Sequence, residues 1–487
     1  MSKKNQNYTN RKQNRFQPER MRGNVFVNNS GKQWLPGENG RAAKVERLLR
    51  GAKEEKKEIA GNMAGYKDSG VEWIGAIPKV WSVNKGKYIF NQAKKKPVYD
   101  TDEIITCFRD GEVTLRKNRR TDGFTMSDKE IGYQGIDKGD LIIHGMDGFA
   151  GAIGISDSRG KASPVLMVLD TKQIKSYMKY HLRAMASSGA IAALTTGIRV
   201  RSCDLRFSKL ENILFAIPPL HEQQRIADFL DAKCDILDRT IDAVSRQIED
   251  LEKYKKALIT ETVTKGICKK SKPERAMKDS GVEWIGEVPE EWSVSKVKYN
   301  FSTFKKIPGK ESEKYERLSL TMNGVKHREK WTAEGLQPKD FMSYQLLRKG
   351  DLVFRLIDLQ NPSKSRRVAL SHDTGLISPA YTILHADNNK MLPEYAEMFF
   401  LMMSYLDVFN ALGSCGVRSS INNAELMKIS VLVPPLAEQQ QIADYLDEKC
   451  KNIDNRVQKR RQQLEWLKEY KKSLIFDYVT GKKRVEE

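Results

Sequence analysis

Cysteine is scarce in this chain, and its pattern excludes two classes of protein at once. The six cysteines (Cys107, Cys203, Cys234, Cys268, Cys415 and Cys450) include no C-x-x-C pair. Neither a disulfide framework nor a zinc ribbon or thiol redox motif therefore organises the fold. Long apolar runs are missing too, since nothing approaches the roughly 18 consecutive apolar residues of a membrane span. The basic opening MSKKNQNYTNRKQNRFQPER lacks the apolar stretch of a secretory signal. The expectation is a cytoplasmic protein with no membrane association.

Catalytic signatures are absent as well. There is no G-x-x-x-x-G-K-[ST] phosphate loop and no H-E-x-x-H zinc pair. No Asn or Asp is followed by Pro-Pro-aromatic, the pattern with which many amino-methyltransferases hold a base; Asn361-Pro362-Ser363 falls short of it. The glycines from Gly148 to Gly154 have the wrong spacing for a dinucleotide loop and predict a tight turn. The six histidines, His144, His181, His221, His327, His372 and His385, share no paired spacing. They read as surface or hydrogen-bonding residues rather than ligands or general bases.

Acid is in short supply relative to base. Against 84 Lys and Arg stand 63 Asp and Glu, a formal charge of +21, which favours nucleic acid or another polyanion as partner. A length of 487 residues suggests two to four domains.

What the sequence does contain is a repeat. KDSGVEWIG occurs at 67–75 and again at 278–286, an offset of 211, and each copy runs on to a Pro and a Trp-Ser-Val, at Pro78 and Trp81 and at Pro289 and Trp292. PPLHEQQRIADFLDAKC at 218–234 matches PPLAEQQQIADYLDEKC at 434–450 in 13 of 17 positions. Between these blocks the halves diverge, keeping landmarks such as KGDL at 138–141 and 349–352. Each half thus pairs a variable region with a nearly constant one.

After each Pro-Pro comes a long stretch without Gly or Pro. From Glu222 to about Lys265 the apolar positions Leu230, Cys234, Leu237, Ile241, Val244, Ile248, Leu251 and Leu258 alternate by four and three, with Lys255 interrupting. The second copy carries Leu446, Cys450, Ile453, Val457, Leu464, Leu467 and Leu474, with Arg460 and Lys471 as its polar exceptions. These are heptad seams, and a helix of that length extends roughly 65 Å. Two such stripes bury each other most simply as an antiparallel pair; homodimerisation through them is the alternative.

The variable regions read as mixed α/β. Strands are predicted at 140–144, 152–156, 165–169, 352–356, 368–371 and 381–384, and helices at about 174–186 and 394–411. Met398, Met402 and Met403 on the second helix are expected to pack in the core. Basic residues flank these elements: Arg116, Lys117, Arg119 and Arg120 in one apparent loop, Lys326, Arg328 and Lys330 at the matching offset, then Arg199 and Arg201, Arg355, Lys364, Arg366, Arg367 and Arg418. Such side chains neutralise phosphates, and Arg also pairs with guanine edges. Residues 1–62 fit neither copy. With 15 Lys and Arg against 6 Glu, they predict disorder up to about Glu38 and a basic helix over 41–59. An alternative is that translation starts at Met63.

The duplicated DSGVEWIG-x-x-P-x-x-W, each copy closed by PPL-x-EQQ-x-IA-x-(Phe or Tyr)-LD and a long helix ending in Tyr254-Lys-Lys or Tyr470-Lys-Lys, resembles the specificity subunit of type I restriction-modification systems. The resemblance runs from about residue 64 to the end. It implies an α+β chain, two mixed α/β target recognition domains separated by two long helices packed as an antiparallel coiled coil. The expected divisions are an extension at 1–62, recognition domains at 63–217 and 271–433, and spacer helices at 218–270 and 434–487. It further implies a non-catalytic protein that reads a bipartite sequence in double-stranded DNA. The methyltransferase (M) subunits it docks use S-adenosylmethionine to methylate adenine, and through them it gathers restriction (R) subunits that use ATP and Mg2+; it holds no cofactor or metal of its own. A nuclease or methyltransferase with an unfamiliar active site is the competing reading, and predicts activity from the chain alone.

Overall fold

The computed structural model describes residues 26–27, 33–34, 65–94, 96–119, 130–193, 205–267, 275–303, 305–329, 340–359, 366–413 and 419–485. The chain forms two compact units, residues 1–235 with 470–487, and residues 236–469. The longer described helices are α1 (Lys175–Ser187), α2 (Leu220–Lys265), α3 (Pro393–Tyr405) and α4 (Leu436–Val479). No described helix is long and apolar enough to cross a membrane.

The variable regions share one topology. In the first unit a four-stranded antiparallel sheet runs Ile153–Ile155, Leu141–His144, Leu166–Thr171, Phe90–Gln92. In the second the order Val368–Leu370, Leu352–Phe354, Thr382–Ala386, Phe301–Ser302 reproduces it strand for strand. The strands are short apolar runs, and the central ones are buried along their length, as 141–143 and 352–354 are. The repeated KGDL supplies the turn before the central strand. Gly139 and Gly350 take φ of 87° and 90°, a left-handed geometry that favours Gly. The following Asp then caps the turn: Asp140 accepts from the Asp137 N–H and Asp351 from the Arg348 N–H, each at 2.8 Å.

The constant blocks, far apart in sequence, fold onto each other within each half. Ser82–Lys85 pairs antiparallel with Leu214–Ile217, and Ser293–Lys296 with Ser430–Val433. In the DSG turns the Asp side chain accepts from the Gly N–H (3.1 and 3.0 Å) and the Ser hydroxyl from the Val N–H (3.1 and 3.2 Å). The buried indoles of Trp81 and Trp292 donate to Glu222 (3.0 Å) and Glu438 (2.8 Å), the glutamates of the two EQQ triplets. The Gln that follows ties each long helix to its domain. Gln223 accepts from the Ile174 N–H and donates to Gln173 and the Pro218 carbonyl. Gln439 accepts from Leu392 N–H and donates to the Lys390 and Pro434 carbonyls.

Because Gln439 is fully buried, Gln439→Ala strands one N–H and two carbonyls and is expected to lower stability by roughly 2–3 kcal/mol in chemical denaturation. Gln440→Ala is the control. Its side chain reaches only the exposed Asp444 (2.9 Å), and its expected effect is below about 0.5 kcal/mol.

In the second unit the long helices run antiparallel. Val244, Ile248, Ile453, Val457 and Leu467 form a buried seam, with Leu237, Ile241, Leu251, Leu258 and Leu464 packed against it. Lys255, the interruption in the heptad, donates to both oxygens of Asp454 (2.7 and 2.6 Å), and Arg461 pairs with Glu252 at 2.6 Å. Leu446 and Cys450 continue the heptad but pack in the domain core with Phe399 and Phe400. Leu230 is buried in the first unit.

Three expectations change. The helix predicted over 394–411 is broken: α3 stops at Tyr405, Asp407 takes a left-handed φ of 59°, and a short helix, Val408–Leu412, follows. Asp tolerates that conformation, so no Gly or Pro marks the break. Within the stretch predicted to be disordered, Phe26–Val27 pairs antiparallel with Gln33–Trp34; the helix over 41–59 lies outside the described residues. His181 is neither at the surface nor hydrogen-bonded, but fully buried with neither ring nitrogen partnered. Met402 and Met403 are buried as expected, with Met398 partly buried against the same core, and the expected turn is present at Gly151, whose φ is 96°.

Candidate nucleic-acid interface

The predicted basic residues take different roles in the two units. In the first, Arg116, Lys117 and Asn118 form a single 3-10 turn after the strand Val113–Leu115. Arg116 donates to the Thr106 hydroxyl at 3.3 Å. Lys117 pairs with Glu103 at 2.6 Å, and Arg119 with Asp110 and Glu112, each at 2.7 Å, while lying 4.3 Å over the Phe108 ring. Lys117 and Arg119 are thus already engaged by carboxylates of their own domain, which lessens what they offer a phosphate. Arg120, Arg199, Arg201, Lys330, Lys364 and Arg418 lie outside the described residues.

Other cations of this unit, which no sequence pattern marks, are neutralised in the same way. Arg159 is held by Asp102 (2.9 Å) and Asp137 (2.5 Å) and Lys96 by Asp137 (2.7 Å) and Asp140 (2.8 Å). The Arg159 hydrogen bond holds the Asp102 carboxyl below its ordinary range.

In the second unit Lys326 and Arg328 are exposed on the strand Gly324–Arg328, two residues apart and so on one face. That strand pairs with Arg317–Thr321, and Arg317 stands directly opposite Arg328. Arg317, largely buried, lies 5.4 Å from the Phe341 ring centre. Tyr381 packs against the same hairpin, beside Leu318, Leu320 and Val325. Burial raises its phenol above the ordinary value, and the nearby charges of Arg355, Arg317 and Arg328 oppose that rise. The charges of three arginines therefore reach one tyrosine, and two of them, Arg328 and Arg355, were predicted from sequence. Arg317 and Tyr381 were not. Their signal is pairing across strands, which periodicity alone does not give.

Arg366 and Arg367 hold loops. Arg366 donates to the Met322 carbonyl at the hairpin tip (2.9 Å), with the half-buried Glu397 behind it at 3.8 Å. Arg367 donates to the carbonyls of Ile357, Asp358 and Leu359. No group of three or more potential metal ligands occurs among the described residues.

Known proteins match this architecture. The chain is 26% identical over 434 residues to the type I restriction enzyme MjaVIII specificity subunit of Methanocaldococcus jannaschii, covering 84% of this chain and 94% of that one. It is 25% identical to a putative type I restriction enzyme MjaX specificity subunit from the same organism, over 85% of this chain and 96% of the relative. A solved chain from a study of complex assembly and conformational transition of the type I R-M system aligns with a TM-score of 0.55 at 12% identity, over 83% of this chain and 98% of that one. The family described as type I restriction modification DNA specificity domain matches residues 83–253 and 380–465. With more than half of its length matched, and with two recognition regions each closed by the same blocks, this chain belongs to the type I restriction-modification DNA specificity family.

Proposed function

We propose that this specificity subunit recognises a bipartite target in double-stranded DNA, one half-site for each variable region, and docks M subunits and, through them, R subunits. The observation that carries the reading is the repetition itself. Two divergent regions of one topology are each fastened to a long helix by the same bonds, Trp81 to Glu222 and Trp292 to Glu438. A scaffold kept constant around a divergent face suits a protein whose two faces read different sequences. Methyl transfer and cleavage would then belong to partner subunits, which supply S-adenosylmethionine, ATP and Mg2+. The long helices serve as a ruler, setting the number of base pairs between half-sites.

The test is mapping of methylated adenine across the genome of cells with and without this gene. Loss of methylation at one bipartite motif on deletion is the expected result. A methylation pattern unchanged by deletion contradicts the proposal.

A further inference from the structure

One position recurs in both units on a fixed scaffold with a different side chain. Four residues after the Asp of each KGDL stands His144 in the first unit and Arg355 in the second. His144 is the last residue of its central strand, and Arg355 directly follows the strand Leu352–Phe354. Each side chain is similarly placed, His144 with 22% of its surface exposed and Arg355 with 17%. Each faces an Asp three residues on, Asp147 at 3.9 Å and Asp358 at 3.6 Å, and these are 34% and 39% exposed. The backbone around the position is pinned in both cases. His144 N–H donates to the Ala152 carbonyl (3.0 Å) and Arg355 N–H to the Arg367 carbonyl (2.8 Å).

The side chains themselves are held in defined states. The Asp147 N–H donates to His144 Nδ1 at 3.0 Å, so in the neutral ring the proton sits on Nε2. Burial lowers the affinity of the imidazole for a second proton, Asp147 opposing and Arg109 reinforcing. His144 therefore offers one N–H donor at neutral pH. Arg355 carries a planar fork of donors, and its charge reaches Tyr381. The loop after it is held in a left-handed turn, Asp358 at φ 56°, by the three carbonyls that Arg367 engages. Partly buried side chains on the ends of rigid strands hold their geometry better than loop residues do.

Resting on the function proposed above, we infer that His144 and Arg355 are equivalent base-reading positions, one for each half-site. An Arg in this position pairs in bidentate fashion with guanine O6 and N7, so the half-site read by the second region contains a guanine. A neutral His with a single donor selects a base that presents an acceptor in the major groove, which cytosine, with its N4 donor, does not.

The experiment uses the full chain in its methyltransferase complex and maps methylated motifs for wild type, Arg355→Gln, Arg355→Lys and His144→Gln. Arg355→Gln is expected to relax one base of one half-site, with discrimination for guanine there falling roughly 5- to 150-fold. His144→Gln is expected to alter one base of the other half-site. Arg355→Lys keeps the charge and loses the fork, so it is expected to behave as Arg355→Gln does. Thermal melting of each variant separates misfolding from altered reading, and a melt unchanged with the motif also unchanged overturns the inference. Uniform loss of binding across all sequences, with a reduced dependence on salt, identifies a phosphate contact and overturns it too. If wild type itself yields no bipartite motif, it is the proposed function that fails, independently of these two residues.

Discussion

Insertion of four residues between Arg246 and Gln247, in α2 alone, is expected to abolish recognition of the original target or to shift it to a longer spacer. Four helical residues add about 6 Å. On B-DNA that is close to two base pairs, and each base pair also turns the face of the next half-site by about 35°. A half-site displaced in both respects no longer presents its groove to the region that reads it. The insertion also breaks the match to the unchanged α4, because the Lys255–Asp454 and Glu252–Arg461 pairs and the seam at Val244, Ile248, Ile453 and Val457 fix one register. Adding a matched heptad to both helices keeps that register, since the apolar period is seven. It is expected to lengthen the spacer by about three base pairs while preserving folding. Methylated-motif mapping reads both variants, and an unchanged spacer with full activity in either would show that the helices set no distance.

His181→Phe is expected to remove one distinct share of the acid sensitivity of the first unit between pH 6.5 and 4, the share this buried imidazole carries. The imidazole packs among Trp73, Tyr177 and Phe215, its ring 5.5 Å from Trp73 and from Phe215. Burial pushes its pKa down to about 4. The unfolded chain binds the proton from about pH 6.5 downward, whereas the folded chain refuses it until about pH 4. Stability from this residue is therefore intact above pH 6.5, falls as pH drops, and is down by about 3 kcal/mol below pH 4. His144 is held low as well and adds acid sensitivity of the same sign, so the quantity to measure is the difference between wild type and variant. Phenylalanine suits the site because the second unit uses it: Tyr177 and Tyr395 both bond the carbonyl of a helix-end Val, and Phe399, four residues after Tyr395, packs on Trp284 as His181 packs on Trp73. Denaturant midpoints of the two proteins that fall in parallel from pH 7 to 4 would contradict this account.

The scaffold was legible in the sequence because it is written twice. The heptads at Leu237 to Leu258 and at Ile453 to Leu467 show their partner through spacing alone, since a helix surface repeats every 3.6 residues. The blocks around Trp81 and Glu222 could be identified but not joined; 141 residues separate the two, and nothing local says that an indole and a carboxylate meet. The candidate interface was less legible. Lys117 and Arg119 look like free cations in the sequence, and only the fold brings Glu103, Asp110 and Glu112 to them. Arg317 looks like any strand residue until the hairpin sets it against Arg328. His144 and Arg355 were in view from the start, one as a scattered histidine and one as a basic residue. Their equivalence appears only when both central strands are laid on the repeated KGDL turn.

The central claim is that each variable region reads one half-site independently, and exchange of one region tests it most directly. Residues 297–429, which lie between the constant strands Ser293–Lys296 and Ser430–Val433, would be replaced by the matching segment of a relative, and methylated adenine mapped in cells carrying the hybrid. The predicted result is a motif with one half-site replaced, the other half-site and the spacer unchanged. A hybrid that folds and methylates but changes both half-sites would contradict the account.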